Sequence, residues 1–153
     1  MDTKFSVALH LLTMISESQD ALTSGFLADS VGTNPSYVRK VIALLKKADL
    51  IKSRQGKSGY ELGRSATRIS LLDIYLATQE QDRVRLFDRH QHSNPSCPVG
   101  AYIEQGLTPV FEELEANLAK DLASRHLQGF IDQLYRLREK GENDESSPLN
   151  QIR

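Results

Sequence analysis

Residues 34–62 read NPSYVRKVIALLKKADLIKSRQGKSGYEL, and three signals inside that stretch decide the fold. Asn34 is a side-chain cap, and Pro35 suits the first helical position, where its missing N–H is no loss. From there Val38, Val41, Ile42 and Leu45 repeat at helical spacing to about Ala48, while Ser36, Tyr37, Arg39, Lys40, Lys46 and Lys47 lie off the stripe. The spacing beyond the helix predicts two short strands, 51–54 and 60–62, joined by a turn containing Gly56 and Gly59.

Upstream, LTSGFLADSVG (22–32) offers Thr23 or Ser24 as a cap, Leu27 and Val31 as inward residues and Gly32 as a stop, which makes a helix of about two turns. A first helix precedes it, with Phe5, Ala8, Leu9, Leu12 and Ile15 on one face. Downstream, Ser70 and Asp73 form a capping box and Ile69 with Ile74 a hydrophobic staple, so a further helix runs from Leu71 to near Gln79. Two short helices, the second basic at its exposed start, followed by a basic hairpin, describe a winged helix-turn-helix over residues 1–79.

The rest of the chain is organised differently. Residues 80–97 are polar, a partly ordered connector. From Pro98 a long helix is expected on the stripe Ile103, Leu107, Val110, Phe111, Leu114, Leu118 and Leu122, bent or split by Gly106 and Pro109. A last helix carries Leu127, Phe130, Ile131, Leu134 and Leu137, and 141–153 is expected to be a disordered tail. The fold class is therefore mainly α with a small β-hairpin wing, and residues 98–140 supply the dimerisation helices. A stripe as apolar as Ile103 to Leu122 exceeds what so small a domain can bury alone, so a homodimer across that helix is expected.

Charge is unevenly distributed. Residues 34–68 hold nine Lys and Arg against two acids, residues 1–33 one against four, and residues 101–153 six against ten. The basic block coincides with the second helix of the pair and its wing, the footprint expected for duplex DNA. The exposed start of a recognition helix reaches base edges in the major groove, which singles out Ser36, Tyr37, Arg39 and Lys40, and the wing adds Lys52, Arg54, Gln55 and Lys57. No stretch approaches the roughly 20 apolar residues of a membrane span. With a single cysteine and no secretion signal, a reducing cytoplasm is the expected location.

The run LADSVGTNPSYVRKVIALLKKADLIKSRQGKSGYEL, followed by ISLLDIY and CPVG, resembles the Rrf-two (BadM-type) winged-helix transcriptional regulators over about residues 1–138. That resemblance implies a homodimer on a partly palindromic operator, with a repressor the expected sign. It also places the wing arginine of the family at Gln55, with Arg54 adjacent, in a wing about one glycine shorter than usual. Three-cysteine members hold an iron-sulfur cluster before the dimerisation helix; Cys97 matches only the last of those cysteines, and Gln91 and Arg85 stand where the others would. No cofactor is expected, since such clusters need several thiolates. His90 and His92 nearby fall short of a closed zinc site, so no metal is expected either. His10 and His126 read as structural.

Cys97 has two readings. At the start of a long helix its thiol becomes a redox sensor answering an unidentified effector; otherwise it is a packed anchor for the loop. Two other functional classes stay open at this point: a winged-helix protein-interaction module without operator specificity, and a cysteine-dependent enzyme using Cys97 with His90 or His92. No catalytic residues are assigned, because the chain shows no Ser/His/Asp-like set, phosphate-binding glycine loop or paired carboxylates.

Overall fold

The computed structural model describes residues 2–143. Six helices and one hairpin follow in the order α1 (Lys4–Glu17), α2 (Ser24–Val31), α3 (Pro35–Lys47), β1 (Ile51–Ser53), β2 (Tyr60–Leu62), a single 3-10 turn (Ala66–Arg68), α4 (Leu71–Gln79), α5 (Ile103–Ser124) and α6 (Leu127–Glu142).

Helix ends follow local chemistry. The Thr23 hydroxyl accepts from the Phe26 N–H at 3.1 Å, the Asn34 side chain from Tyr37 N–H at 2.8 Å, and the Ser70 hydroxyl from Asp73 N–H at 3.0 Å. Gly32 closes α2 in the left-handed conformation. β1 and β2 pair antiparallel, Ile51 opposite Leu62, Lys52 opposite Glu61 and Ser53 opposite Tyr60. The first strand is one residue shorter than expected, and Arg54 instead opens the turn, its N–H bonded to the Gly59 carbonyl at 3.1 Å. Gly59 has φ of +95°, and a Cβ there would stand 3.1 Å from the Ala21 backbone, so the wing turn seats tightly against the approach to α2.

One core holds these elements. Val7, Ala8, Leu11, Leu12 and Ile15 of α1 meet Leu27, Val38, Val41, Ile42, Leu45, Ile69 and Ile74. The buried face of α1 is centred on Leu11 and Leu12, leaving Phe5 and Leu9 half-buried at its edge, where Phe5 meets Tyr75 edge to face at 5.9 Å. α6 returns to the same core through Leu127 and Ile131, each contributing about 1.5–3 kcal/mol on burial. A short antiparallel bridge pins that return: Leu71 N–H donates to Arg125 O and Leu127 N–H to Ile69 O, both at 2.9 Å.

α5 is different. None of its residues is buried. It leans on the connector through Phe87, which stacks on Phe111 at 4.9 Å, and through Glu115, whose carboxylate accepts the Leu86 N–H. It begins at Ile103 rather than at Pro98. Asn94 captures the chain first, its side chain accepting from Ser96 N–H at 2.9 Å and its carbonyl from Cys97 N–H at 3.2 Å. Gly100 then folds back so closely that a Cβ would lie 2.5 Å from Asn94 O, and residues 95–102 form turns. Pro109 sits inside α5, and the helix is continuous rather than split. The expected tail at 141–153 is corrected in part: α6 runs through Glu142, and residues 144–153 lie outside those described.

Candidate nucleic-acid interface

Burial of Val38, Val41, Ile42 and Leu45 fixes which way α3 faces. Ser36, Arg39, Lys40, Lys46 and Lys47 are exposed on its far side. Tyr37 is only half so: its ring packs at the edge of the core and its hydroxyl meets Thr3 Oγ1 at 2.9 Å. Arg39 is held in place, one guanidinium nitrogen donating to Ser24 Oγ and the other to Ser36 Oγ, both at 3.3 Å. The start of α2 and the start of α3 are thereby brought together around one cation.

The wing carries Lys52, Gln55 and Lys57 exposed and Arg54 half-buried. Lys52 is partly neutralised by its cross-strand partner Glu61 at 3.6 Å. Between the wing, the end of α3 and the start of α2 lies a cleft of about 340 Å³ whose rim includes Ser24, Lys46, Ser53 and Lys57. Lys46 braces it, donating to Ser53 Oγ at 2.9 Å while its ammonium stands 5.2 Å from the Tyr60 ring centre. Ser24 and Lys46 were not among the residues the sequence singled out for this surface. The only signal for them was that one opens α2 and the other lies off the apolar stripe of α3.

Not every cation of the basic block points outward. Arg64 donates to Asp73 at 2.8 Å and to the Arg68 carbonyl at 2.8 Å, tying the base of the wing to α4. Partial burial pushes the Asp73 carboxyl up, but the Ser70 N–H and hydroxyl and the Arg64 guanidinium outweigh it and hold it below the ordinary aspartate value.

Cys97 lies far along the chain from this surface and is exposed, which sets aside the packed-anchor reading. Its thiol is held below the usual range first by the backbone N–H of Gly100, then by that of Val99. The turn therefore does what the expected helix start would have done, presenting amides to sulfur. His90 and His92 are exposed as well. His10 meets Ser30 Oγ at 3.1 Å, and His126 lies in the bridge with Ser70.

The sequence profile of the family described as "Rrf2: Iron-dependent Transcriptional regulator" matches residues 1–133. The chain belongs to the Rrf2 family. YwnA of Bacillus subtilis (strain 168), provisionally named an HTH-type transcriptional regulator, is 40% identical to this Rrf2 chain over 135 residues, which is 88% of this chain and 99% of YwnA. A crystal structure provisionally described as a DNA-binding protein is 39% identical with a TM-score of 0.66, over 82% of this chain and 96% of its own. CymR, described as the global cysteine regulator of B. subtilis, shares the fold at 17% identity and a TM-score of 0.61, over 86% of this chain and 95% of CymR. This Rrf2 protein is thus a winged-helix transcription regulator with DNA as its partner, and the family sets aside the reading as a cysteine enzyme.

The family description names iron. An iron-sulfur group is ordinarily held by several thiolates, and this chain has one cysteine. Among the described residues no group of three His, Cys, Asp or Glu side chains is placed to hold a metal ion. The donor set does not fit such a group. Among the described residues no helix is long and apolar enough to cross a membrane.

Proposed function

We propose that this regulator binds a two-fold operator as a homodimer joined through α5, reads sequence with Ser36, Tyr37, Arg39 and Lys40, and represses by occupying its site. The observation that carries the reading is the cation cluster at the junction of α2 and α3, where Arg39 is pre-set by two serine hydroxyls beside exposed Lys40. Orientation fixed before binding lowers the entropy cost of a base contact. Lys57, Lys46 and Arg54 beside it suit phosphates, and Lys52 contributes less because Glu61 shares its charge.

The dimer part rests on α5. Val110 and Leu114 are 51% and 47% exposed, and Ile103, Leu107, Phe111, Leu118 and Leu122 are half-buried, none of them fully covered by its own chain. Binding a two-fold operator requires such a dimer to hold its two α3 helices on successive turns of the major groove, about 34 Å apart. Repression requires nothing beyond occupancy of a promoter. DNA as partner makes the cytoplasm the working compartment.

Cys97 is proposed as the trigger. Its thiolate attacks a low-molecular-weight disulfide, forms a mixed disulfide and releases one small thiolate. The added group sits on the turn that leads into α5. No resident cofactor takes part in this scheme.

The test begins with selection of operators from random DNA, with reduced and oxidised protein. Arg39→Ala combined with Lys40→Ala should weaken operator binding by roughly 10²-fold or more and lower its salt dependence. Unchanged affinity would sink the assignment. Binding without sequence preference or steep salt dependence would instead favour a protein-interaction module.

A further inference from the structure

The connector and the first turns of α5 enclose a cavity of about 560 Å³ that the DNA-binding reading leaves unused. Arg89, His90 and His92 line it from the connector, and Ile103, Glu104 and Leu107 from α5. Its size is in the range of small-molecule sites, roughly 300–1,000 Å³.

The chemistry of the wall narrows the ligand. Among the described residues the side chains of Arg89, His90, His92 and Glu104 make no hydrogen bond or ion pair, whereas neighbouring Arg85 is engaged by Asp82 at 3.2 Å. A planar guanidinium and two imidazoles, each able to offer an N–H donor, face a single carboxylate. The same residues are not grouped to hold a metal ion, so the balance favours an anion over a cation. Ile103 and Leu107 add an apolar floor that inorganic phosphate would leave uncovered. Behind Arg89 a second cleft carries Arg83, Glu112 and Glu115, and Glu115 is already engaged by the Leu86 N–H. Glu112 and Glu104 are therefore the carboxylates with which a ligand would compete for Arg89.

We infer that this cavity binds a small organic carboxylate, its apolar body on Ile103 and Leu107 and its carboxylate forked onto Arg89 with a second donor from His90 or His92. Arginine is the side chain whose paired donors match that geometry. The site uses none of the residues proposed to read the operator, and it shares Ile103 and Leu107 with the α5 face proposed for the dimer.

Calorimetric titration of the full chain tests it, with hexanoate and benzoate as probes and hexylamine and inorganic phosphate as controls. Saturable binding of a carboxylate at one site per chain is expected, with neither control matching it. Arg89→Gln should weaken that binding about tenfold or more. His90→Gln with His92→Gln is the second variant, expected to weaken it less, and unchanged melting curves would show both variants folded. No saturable carboxylate binding, equal binding of hexylamine or phosphate, or parent-like affinity in both variants would overturn the site.

Discussion

Cys97 shows how much of a residue's chemistry is set by the few atoms around it. Two backbone N–H groups, from Gly100 and Val99, hold its thiol below the ordinary range, and the side chain is exposed to reagents. The fraction of thiolate rises as pH passes upward through the pKa, so a lowered pKa moves the onset of reactivity to lower pH. The rate of alkylation by iodoacetamide should therefore reach half its maximum at a lower pH than that of a cysteine in an unstructured peptide measured alongside. Gly100→Ala, which opens the turn by forcing a Cβ against Asn94 O, should move that midpoint back up. A midpoint in the parent protein at or above that of the peptide would remove the basis for Cys97 as a trigger. The sequence announced the cysteine but not its amides, because the captor, Asn94, competes for the same residues as the expected helix and wins by local hydrogen bonds.

Among the elements, α4 has the most heavily determined start. Ser70 and Asp73 exchange hydrogen bonds, and Arg64 adds a charge-assisted bond to the same Asp73 oxygen that accepts the Ser70 N–H. Asp73→Ala should cost about 1 kcal/mol in urea unfolding at neutral pH, discounted for a side chain more than a third exposed. Because the folded-state pKa of Asp73 is lowered, its charge-dependent stabilisation is present above the unfolded carboxylate value and is lost as pH falls through the folded one. The deficit of Asp73→Ala should therefore narrow when the same unfolding curves are taken in acid, and a deficit that grows there would refute the assignment. This start was legible because a capping box lies within four residues of sequence. The caps at Thr23 and Asn34 and the wing were legible for the same reason. The half-burial of Tyr37 was not, since its partner Thr3 lies on another helix start, and neither was the diversion of Arg64 to Asp73.

At the scale of the whole molecule, α5 divides the chain into a packed head and a face without cover in a single copy. Val110→Glu combined with Leu114→Glu should leave unfolding of the single chain within about 0.5 kcal/mol of the parent, because neither side chain is buried by its own protomer. The same pair should convert the protein to monomer in sedimentation and sharply reduce operator binding. A variant that still sediments as a dimer would place the two-fold contact elsewhere. The apolar repeat along α5 was readable from spacing, whereas its later start depended on Asn94 and Gly100.

The short bridge between residues 69–71 and 125–127 has a mechanical meaning. It clamps α5 at its C-terminal end to the same piece of backbone that starts α4, while the opposite end rests on turns. At 22 residues the helix is about 33 Å long, fixed by the bridge at its C-terminal end and braced midway, where Phe111 stacks on Phe87 and Glu115 takes the Leu86 N–H. If Cys97 acts as proposed, a group added on its turn would bear on the first turns of α5 ahead of that brace, and the bridge would carry any rotation of the helix to the start of α4.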